Sequence, residues 1–443
     1  MKKFISIIVS FLLLLVYLPT DSKASELVNY PNEVNVSVHL AASVTLTANG
    51  SYQLNNKDTA EVTEIPQGTV LIVKKDGSNV NVTFNGTSLN SATGFNLQEK
   101  ISTSTSLVRV SNSTTYRGSF FLKPNGSKVE IINILDMEDY LKGVVPSEMP
   151  ASFHKEALKA QAISARSYAA NTLMLTSTAA SQVYRGYSGE DARTNAAIKE
   201  TEGMLVKYNG KPIQTFFFST SGGRTANVGD VWNSNQAHFP YLVSVDDPYE
   251  SSPFSNWTET FPAETLLKTF GFTDLSAQIY DIVLSKTGAN GEVKGMTIKT
   301  SAGDKTVTGN ESIIRNYFPL NNPQLYNKLQ SNWFDIQLNG GSASQNLSVQ
   351  TSSGTTAIGD LKGQKVQTAN GEVTLTDSKV SIQTANGVVT NEGTGNITTV
   401  TLNGKGWGHR VGMSQYGAKG FAEKGWTAEQ ILTHYFQGTT VSR

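Results

Sequence analysis

Cysteine is absent from this sequence, which excludes a disulfide framework, a Cys-ligated zinc site and a thiol nucleophile. Charge is sparse as well: Asp, Glu, Lys and Arg make up 16% of the chain, against roughly 25% in an average soluble protein. Neither sign dominates, because 36 basic residues stand against 36 acidic ones. A nucleic-acid binder attracts its partner mainly by neutralising phosphates, so a neutral chain without a basic block gives no footprint for one. The five histidines, His39, His154, His238, His409 and His434, show no i,i+4 or other short pairing, and neither a metal nor another cofactor is expected. Past the N-terminus no apolar run is long enough to cross a membrane, which takes about 20 residues. Ser, Thr, Asn and Gly fill the gap around a 38% apolar complement spread over 443 residues. That is ample for two or three domains held by burial alone.

The first residues read as an export signal. Lys2 and Lys3 precede an apolar run from Phe4 to Leu18, followed by Pro19, Thr20 and the small-residue pattern Ser22-Lys23-Ala24, so cleavage after Ala24 is expected. The protein then works outside the cytoplasm, secreted or associated with the cell wall. Retention of residues 1–24 as an uncleaved membrane anchor is the alternative.

Periodicity divides the rest into an α+β protein. Residues 25–121 carry short alternating runs such as Val34 to Val38, Thr69 to Val73 and Val80 to Phe84, broken by Asn-Gly and Asp-Gly turns, which predicts a β-rich N-terminal region. Residues 122–337 read as a mixed α/β body. Asp136 caps a short helix through Leu141, and Ser152 to Leu175, free of Gly and Pro, forms the strongest helix of the chain. On that helix Leu158, Ala162, Ala165 and Ala169 make the buried stripe, whereas Lys159 and Arg166, seven apart, project together from another face. Residues 338–398 turn Ser/Thr/Gly-rich and repeat Gln-Thr-Ala-Asn-Gly at Gln367 and Gln383, which predicts an inserted β-ribbon. Residues 399–443 return to the body with helices around Ser414 to Glu423 and after Thr427.

Three segments concentrate chemistry. In Val144-Val145-Pro146-Ser147-Glu148-Met149-Pro150 a lone carboxylate lies among apolar residues; desolvation there would raise its pKa to where a carboxylic general acid works near neutrality. A structural alternative has Glu148 capping the next helix or pairing with Lys159 or Arg166. In Phe218 to Thr225, the hydroxyls of Ser219 and Ser221, two glycines and Arg224 suit either close approach to a polar ligand or a plain Gly-Gly turn. In Gly404 to Gly417, Trp407, His409, Gln415 and Tyr416 suit a saccharide. The Walker Lys-[Ser/Thr] pair of a nucleotide loop is missing. Ser414, His409 and an Asp could compose a hydrolase triad, but the segment is not a Gly-x-Ser-x-Gly elbow.

At these residues the sequence resembles the SpoIID/LytB family of stage II sporulation protein D and amidase-enhancer proteins. Asp139-Tyr140-Leu141-Lys142-Gly143-Val144-Val145-Pro146-Ser147-Glu148-Met149-Pro150, running into Glu156 to Ala162 and Ala165-Arg166-Ser167-Tyr168, is similar to the family's first signature. Ser219 to Thr225 with Val231-Trp232 follows the second. Gly406-Trp407-Gly408-His409, Gly412 to Ala418 and His434 to Thr439 follow the third. The resemblance covers most of residues 126–443 except the insert. It implies a lytic transglycosylase that cleaves the bond between N-acetylmuramic acid and N-acetylglucosamine in peptidoglycan strands, preferring strands stripped of stem peptides, and leaves a 1,6-anhydro-muramyl end. By motif position Glu148 matches the catalytic acid, and Lys159, Arg166, Ser219, Ser221, Arg224, His409, Gln415 and Tyr416 match groove-lining positions. Some relatives carry a Cys/His zinc site, which this chain cannot reproduce. The amidase-enhancer branch implies a second possibility, a glycan-binding partner of a cell-wall amidase that cleaves nothing itself.

Overall fold

Alternation at period two shapes the N-terminal half. In a computed structural model, which describes residues 33–443 apart from 101–105, 112, 326, 341–346, 352–353, 359–362, 369–370, 377–379, 385–386 and 392–396, two antiparallel sheets face one another. Residues such as Val34, Val36, Leu46, Tyr52, Leu54, Leu71, Val73, Val80, Val82, Phe95, Leu97, Phe120 and Leu122 form the shared core. The seven-stranded sheet has Ser119–Asn125 at its centre, followed on one side by Lys128–Asp136 and then Glu33–Ala41, and the six-stranded sheet is built on Ser43–Ala48 and Val70–Asp76. The export-signal segment, residues 1–24, lies outside the described residues.

Strand Lys128–Asp136 leads directly into helix α1, Met137–Glu148, whose N-cap is Asp136, accepting from the Glu138 N–H. The helix is a full turn and more longer than the sequence suggests, and it carries Pro146 in its last turn. Gly143 lets a later segment of the chain pack closely on it: a Cβ there would run into the ring of Tyr184 and the Gly186 backbone. Helix α2 spans Lys155–Ala170 with His154 as N-cap, shorter at both ends than the expected Ser152 to Leu175. Beyond Asn171 the backbone leaves the helix, and Leu175–Thr176 pairs in parallel with Glu33–Ala41 instead. The apolar Leu175 is thereby buried in the first core rather than spent on another helical turn.

The expected stripe Leu158, Ala162, Ala165 and Ala169 is buried, and its small residues let neighbouring elements approach α2 closely. Helix α3, Ala192–Glu200, packs on one flank. After the short α4, Val228–Val231, a separate core gathers α5, Ala263–Thr269, α6, Glu311–Asn316, and strands from Asn256–Pro262 to Thr399–Lys405. Strand Phe334–Asn339 pairs antiparallel with Thr399–Lys405, Asn339 opposite Thr399, so the Ser/Thr/Gly-rich stretch leaves and re-enters between two paired strands. At each copy of the repeated pentapeptide the described flanking residues pair antiparallel, Thr368 opposite Gly371 and Thr384 opposite Gly387.

The chain ends against α2. Helix α7, Gln415–Glu423, is capped by Ser414 Oγ accepting from the Gly417 N–H, and α8, Ala428–Tyr435, opens with the capping box of Thr427 and Gln430. Both pack on α2 around Met149, Ile163, Val206, Phe421, Ile431, Leu432 and Tyr435. Among the described residues no helix is long and apolar enough to cross a membrane.

Candidate active site around Glu148

Glu148 is the last residue of α1, flanked by the buried Val144, Val145 and Met149. Its carboxyl is half-buried. The Val183 N–H donates to Oε1 at 2.5 Å, and the Gln415 side chain also favours the charged form. Burial disfavours the charged form and outweighs these donors and the nearby Arg185 guanidinium, so the pKa is pushed up to about 7. Near neutrality this group is populated both as acid and as carboxylate. The alternative that Glu148 is a cap or an ion-pair partner fails: His154 caps α2, and Lys159 and Arg166 are engaged elsewhere.

The parts of the site come from distant segments. The parallel pairing of Phe217–Phe218 with Met413–Ser414 lays the second segment beside the third. Thr220 and Trp407 exchange backbone bonds of 3.1 and 2.8 Å, and the Tyr416 N–H donates to Ser219 O at 3.1 Å. Gln415, the first residue of α7, then reaches α1 and α2 together: its amide donates to Gln161 Oε1 at 3.4 Å and its side chain favours the charged form of Glu148. Tyr416 stays half-buried with its ring edge-on to Phe153 at 5.3 Å. Glu148, Gln415, Tyr416 and Ser219 thus sit together, with Ser219 Oγ held near Thr220 Oγ1 at 3.0 Å.

The other motif residues brace this arrangement. Arg166, expected in a groove, has its side chain 3% exposed and binds Glu138 through two bonds of 2.8 and 2.6 Å and the Met204 carbonyl at 3.2 Å. Lys159 pairs with Glu156 at 2.8 Å and Glu200 at 3.0 Å. The two cations do share a face of α2, but that face turns to α3: Arg166 also bonds the Ile198 carbonyl and Lys159 bonds Glu200. Ser221 is buried and donates to Glu250 at 3.1 Å. Arg224 pairs with exposed Asp246 at 3.4 Å. His409 sits among Phe216, Phe218 and Trp232, with Nδ1 accepting from the Val411 N–H at 3.1 Å. Burial lowers its pKa to about 4, which keeps the ring neutral. Ser414 Oγ serves as the α7 cap, so Ser414 and His409 form no triad.

Two buried groups that the sequence motifs did not single out tie the site together. Arg410, fully buried at φ +64°, donates to Ser221 O, Arg224 O and Glu292, locking the second and third segments to strand Glu292–Thr300. Asp247 lies beneath α7 against Tyr435, Ser221 and Ser414, and burial raises its pKa to about 6. Its two oxygens and the Tyr435 hydroxyl lack hydrogen bonds of good geometry. Also missed were Gln161, Val183 and Arg185. A glutamine inside an Ala-rich helix was the one visible hint; a backbone N–H leaves none. Among the described residues no group of three or more His, Asp or Glu could hold a metal ion.

These features define an α+β protein with a carboxyl of raised pKa, Glu148, at a polar surface site assembled from both ends of the body. Comparison with known sequences agrees. A family model described as SpoIID, Stage II sporulation protein, matches residues 125–208, the stretch holding Glu148, Gln161 and Arg166. An "Amidase enhancer" of Bacillus subtilis (strain 168) is 32% identical over 305 residues, 68% of this chain and 40% of that protein. "Stage II sporulation protein D" of the same strain is 27% identical over 332 residues, 70% of this chain and 75% of the relative. Its counterpart in Bacillus amyloliquefaciens is 28% identical over 331 residues, with 70% and 74% covered. The chain belongs to the SpoIID/LytB family. It spans two fifths of the length of the amidase enhancer and about three quarters of the sporulation proteins.

Proposed function

We propose that this chain is an exported lytic transglycosylase acting on peptidoglycan glycan strands, with Glu148 as its single acid and base. The coarser statement, a cell-wall-related role, rests on the family and on the relatives' names. The finer one is carried by one observation: a half-buried carboxyl with a pKa near 7, held by the Val183 N–H and Gln415. As acid, Glu148 gives its proton to the oxygen joining N-acetylmuramic acid C1 to N-acetylglucosamine, and the C1–O bond breaks. As carboxylate it takes the proton of the muramyl C6 hydroxyl while that oxygen bonds to C1. The product is a 1,6-anhydro ring, the proton count closes on Glu148, and no water enters. One carboxyl suffices where a hydrolase uses two. Such proton transfer contributes about 10²–10⁴-fold in rate. The protein is then secreted or wall-associated after removal of residues 1–24, or anchored if they stay.

A second reading follows from the 32% identity to an amidase enhancer: the chain binds glycan and stimulates a cell-wall amidase without cleaving. Incubating the purified chain and its Glu148→Gln variant with denuded strands and reading products by mass spectrometry separates the two. Anhydro ends from the wild type alone support the transglycosylase. Strands bound but uncut by both proteins, with amidase stimulation untouched by the substitution, establish the enhancer.

A further inference from the structure

Most cations around the site are already paired. Arg117 binds Glu190 at 2.6 Å, Lys142 binds Asp139 at 2.5 Å, Arg193 binds Asp191 at 2.9 Å, and Lys159 and Arg166 have the partners given above. Arg185 differs. It is exposed, and it has no carboxylate at ion-pair distance among the described residues. Yet it is held beside the acid. Its N–H donates to the Gly143 carbonyl of α1 at 3.2 Å, two residues after the Val183 N–H that binds Glu148. Gln182 and Tyr184 are buried while Val183 and Arg185 face outward, the period-two alternation of an extended segment. Gly189 brings the neighbours closer still: Arg185 Cβ and Ser147 Oγ lie 2.9 and 3.3 Å from the point where a Gly189 Cβ would sit. A free guanidinium is therefore anchored by its backbone next to the residue preceding the acid.

A guanidinium presents a planar fork of donors matched to carboxylate geometry. On the proposed substrate the sugar whose C1 carries the scissile bond bears, at C3 of the same ring, an ether-linked lactyl group. That group ends in a carboxylate when no peptide is attached and in an amide when one is. We propose that Arg185 is a specificity-determining residue that pairs with this free lactyl carboxylate, so that the site reads the absence of a peptide as the presence of a negative charge. The inference rests on the transglycosylase reading for the identity of the sugar, but it concerns binding rather than bond cleavage.

The test uses the full chain carrying Glu148→Gln, so that strands stay intact, and measures binding to denuded strands and to the same strands with their lactyl carboxylates converted to primary amides by carbodiimide and ammonia. Free-carboxylate strands should bind about tenfold to a hundredfold more tightly, the range of a charge-assisted hydrogen bond. Adding Arg185→Ala should erase that preference, and Arg185→Lys should restore part of it, with unfolding midpoints unchanged because the side chain is exposed. A preference that survives Arg185→Ala, or none in the parent, overturns the assignment. Absence of anhydro products from the parent with Glu148 intact, while the preference persists, overturns the transglycosylase reading and leaves Arg185 as a carboxylate reader. Failure of every version to bind either strand overturns both.

Discussion

Gln415, the first residue of α7, faces the Glu148 carboxyl at the last residue of α1, where its side chain favours the charged form. The C-terminal helix pair therefore bears on the protonation of a group encoded far upstream. That contact favours the carboxylate, so it opposes burial. Replacing Gln415 with Leu removes it, and the Glu148 pKa should climb further above 7. The alkaline limb of kcat/KM for strand cleavage then moves to higher pH; an unmoved limb would show that the contact does not reach the ionisation. The variant also strips Gln161 of a partner, at a cost of about 1–3 kcal/mol.

For the native protein the acid form is the competent one in the first step. Cleavage should be flat below neutrality as far as this group decides, then fall about tenfold per pH unit above pH 7. A pH–rate profile on denuded strands reads this directly. A limb near pH 4.5, where an ordinary glutamic acid titrates, contradicts the assignment.

Stability should respond to the same group with the opposite sign to a salt-bridged carboxylate. The folded pKa is raised, so between about 4.5 and 7 the folded state holds a proton that the unfolded state has lost. Stability then decreases as pH rises through that window and levels off above it, by roughly 3 kcal/mol. Glu148→Gln should match the wild type near pH 4 and exceed it by that amount at pH 8 in urea unfolding. Equal curves at both pH values would mean the burial cost is absent.

Arg166 distinguishes bracing from binding. Arg166→Met leaves Glu138 without its cation and should cost about 3–5 kcal/mol, as removing one partner of a buried pair does. Adding Glu138→Gln should recover much of the loss. If Arg166 contacted glycan instead, the single variant would weaken strand binding while its unfolding midpoint held steady.

Gly417 lies against Asp247 and the Tyr435 hydroxyl with no space for a methyl group. Gly417→Ala should destabilise the protein by about 1–3 kcal/mol through overpacking and displace the start of α7, reducing cleavage along with the thermal midpoint. Normal stability together with normal cleavage would show that the contact is slack.

Much of the site's raw material was legible in the linear order. A carboxylate between Val144, Val145 and Met149 announced its own desolvation, and the caps Asp136 and Thr427 fixed two helix starts because a side-chain oxygen serving orphan N–H groups is a local signal. Alternation likewise exposed the sandwich core. Less legible was the fate of Lys159 and Arg166. Heptad spacing placed them correctly on one face, but spacing carries no information about what that face meets, and here it meets α3 and Glu138 rather than solvent.

The sequence alone determined what each segment could become: strand, helix, cap, and a carboxyl able to lose its water. These depend on neighbours within a turn or a strand, so they are written locally. Only the tertiary structure decided which donors face Glu148, because Val183 contributes a backbone N–H that every residue but proline possesses, and Gln415 arrives by way of the parallel pairing of Phe217–Phe218 with Met413–Ser414. It also decided which cation stays free. Charges pair according to distance in space, and five neighbouring Lys and Arg side chains found carboxylates while Arg185, held beside the acid, has none at ion-pair distance among the described residues.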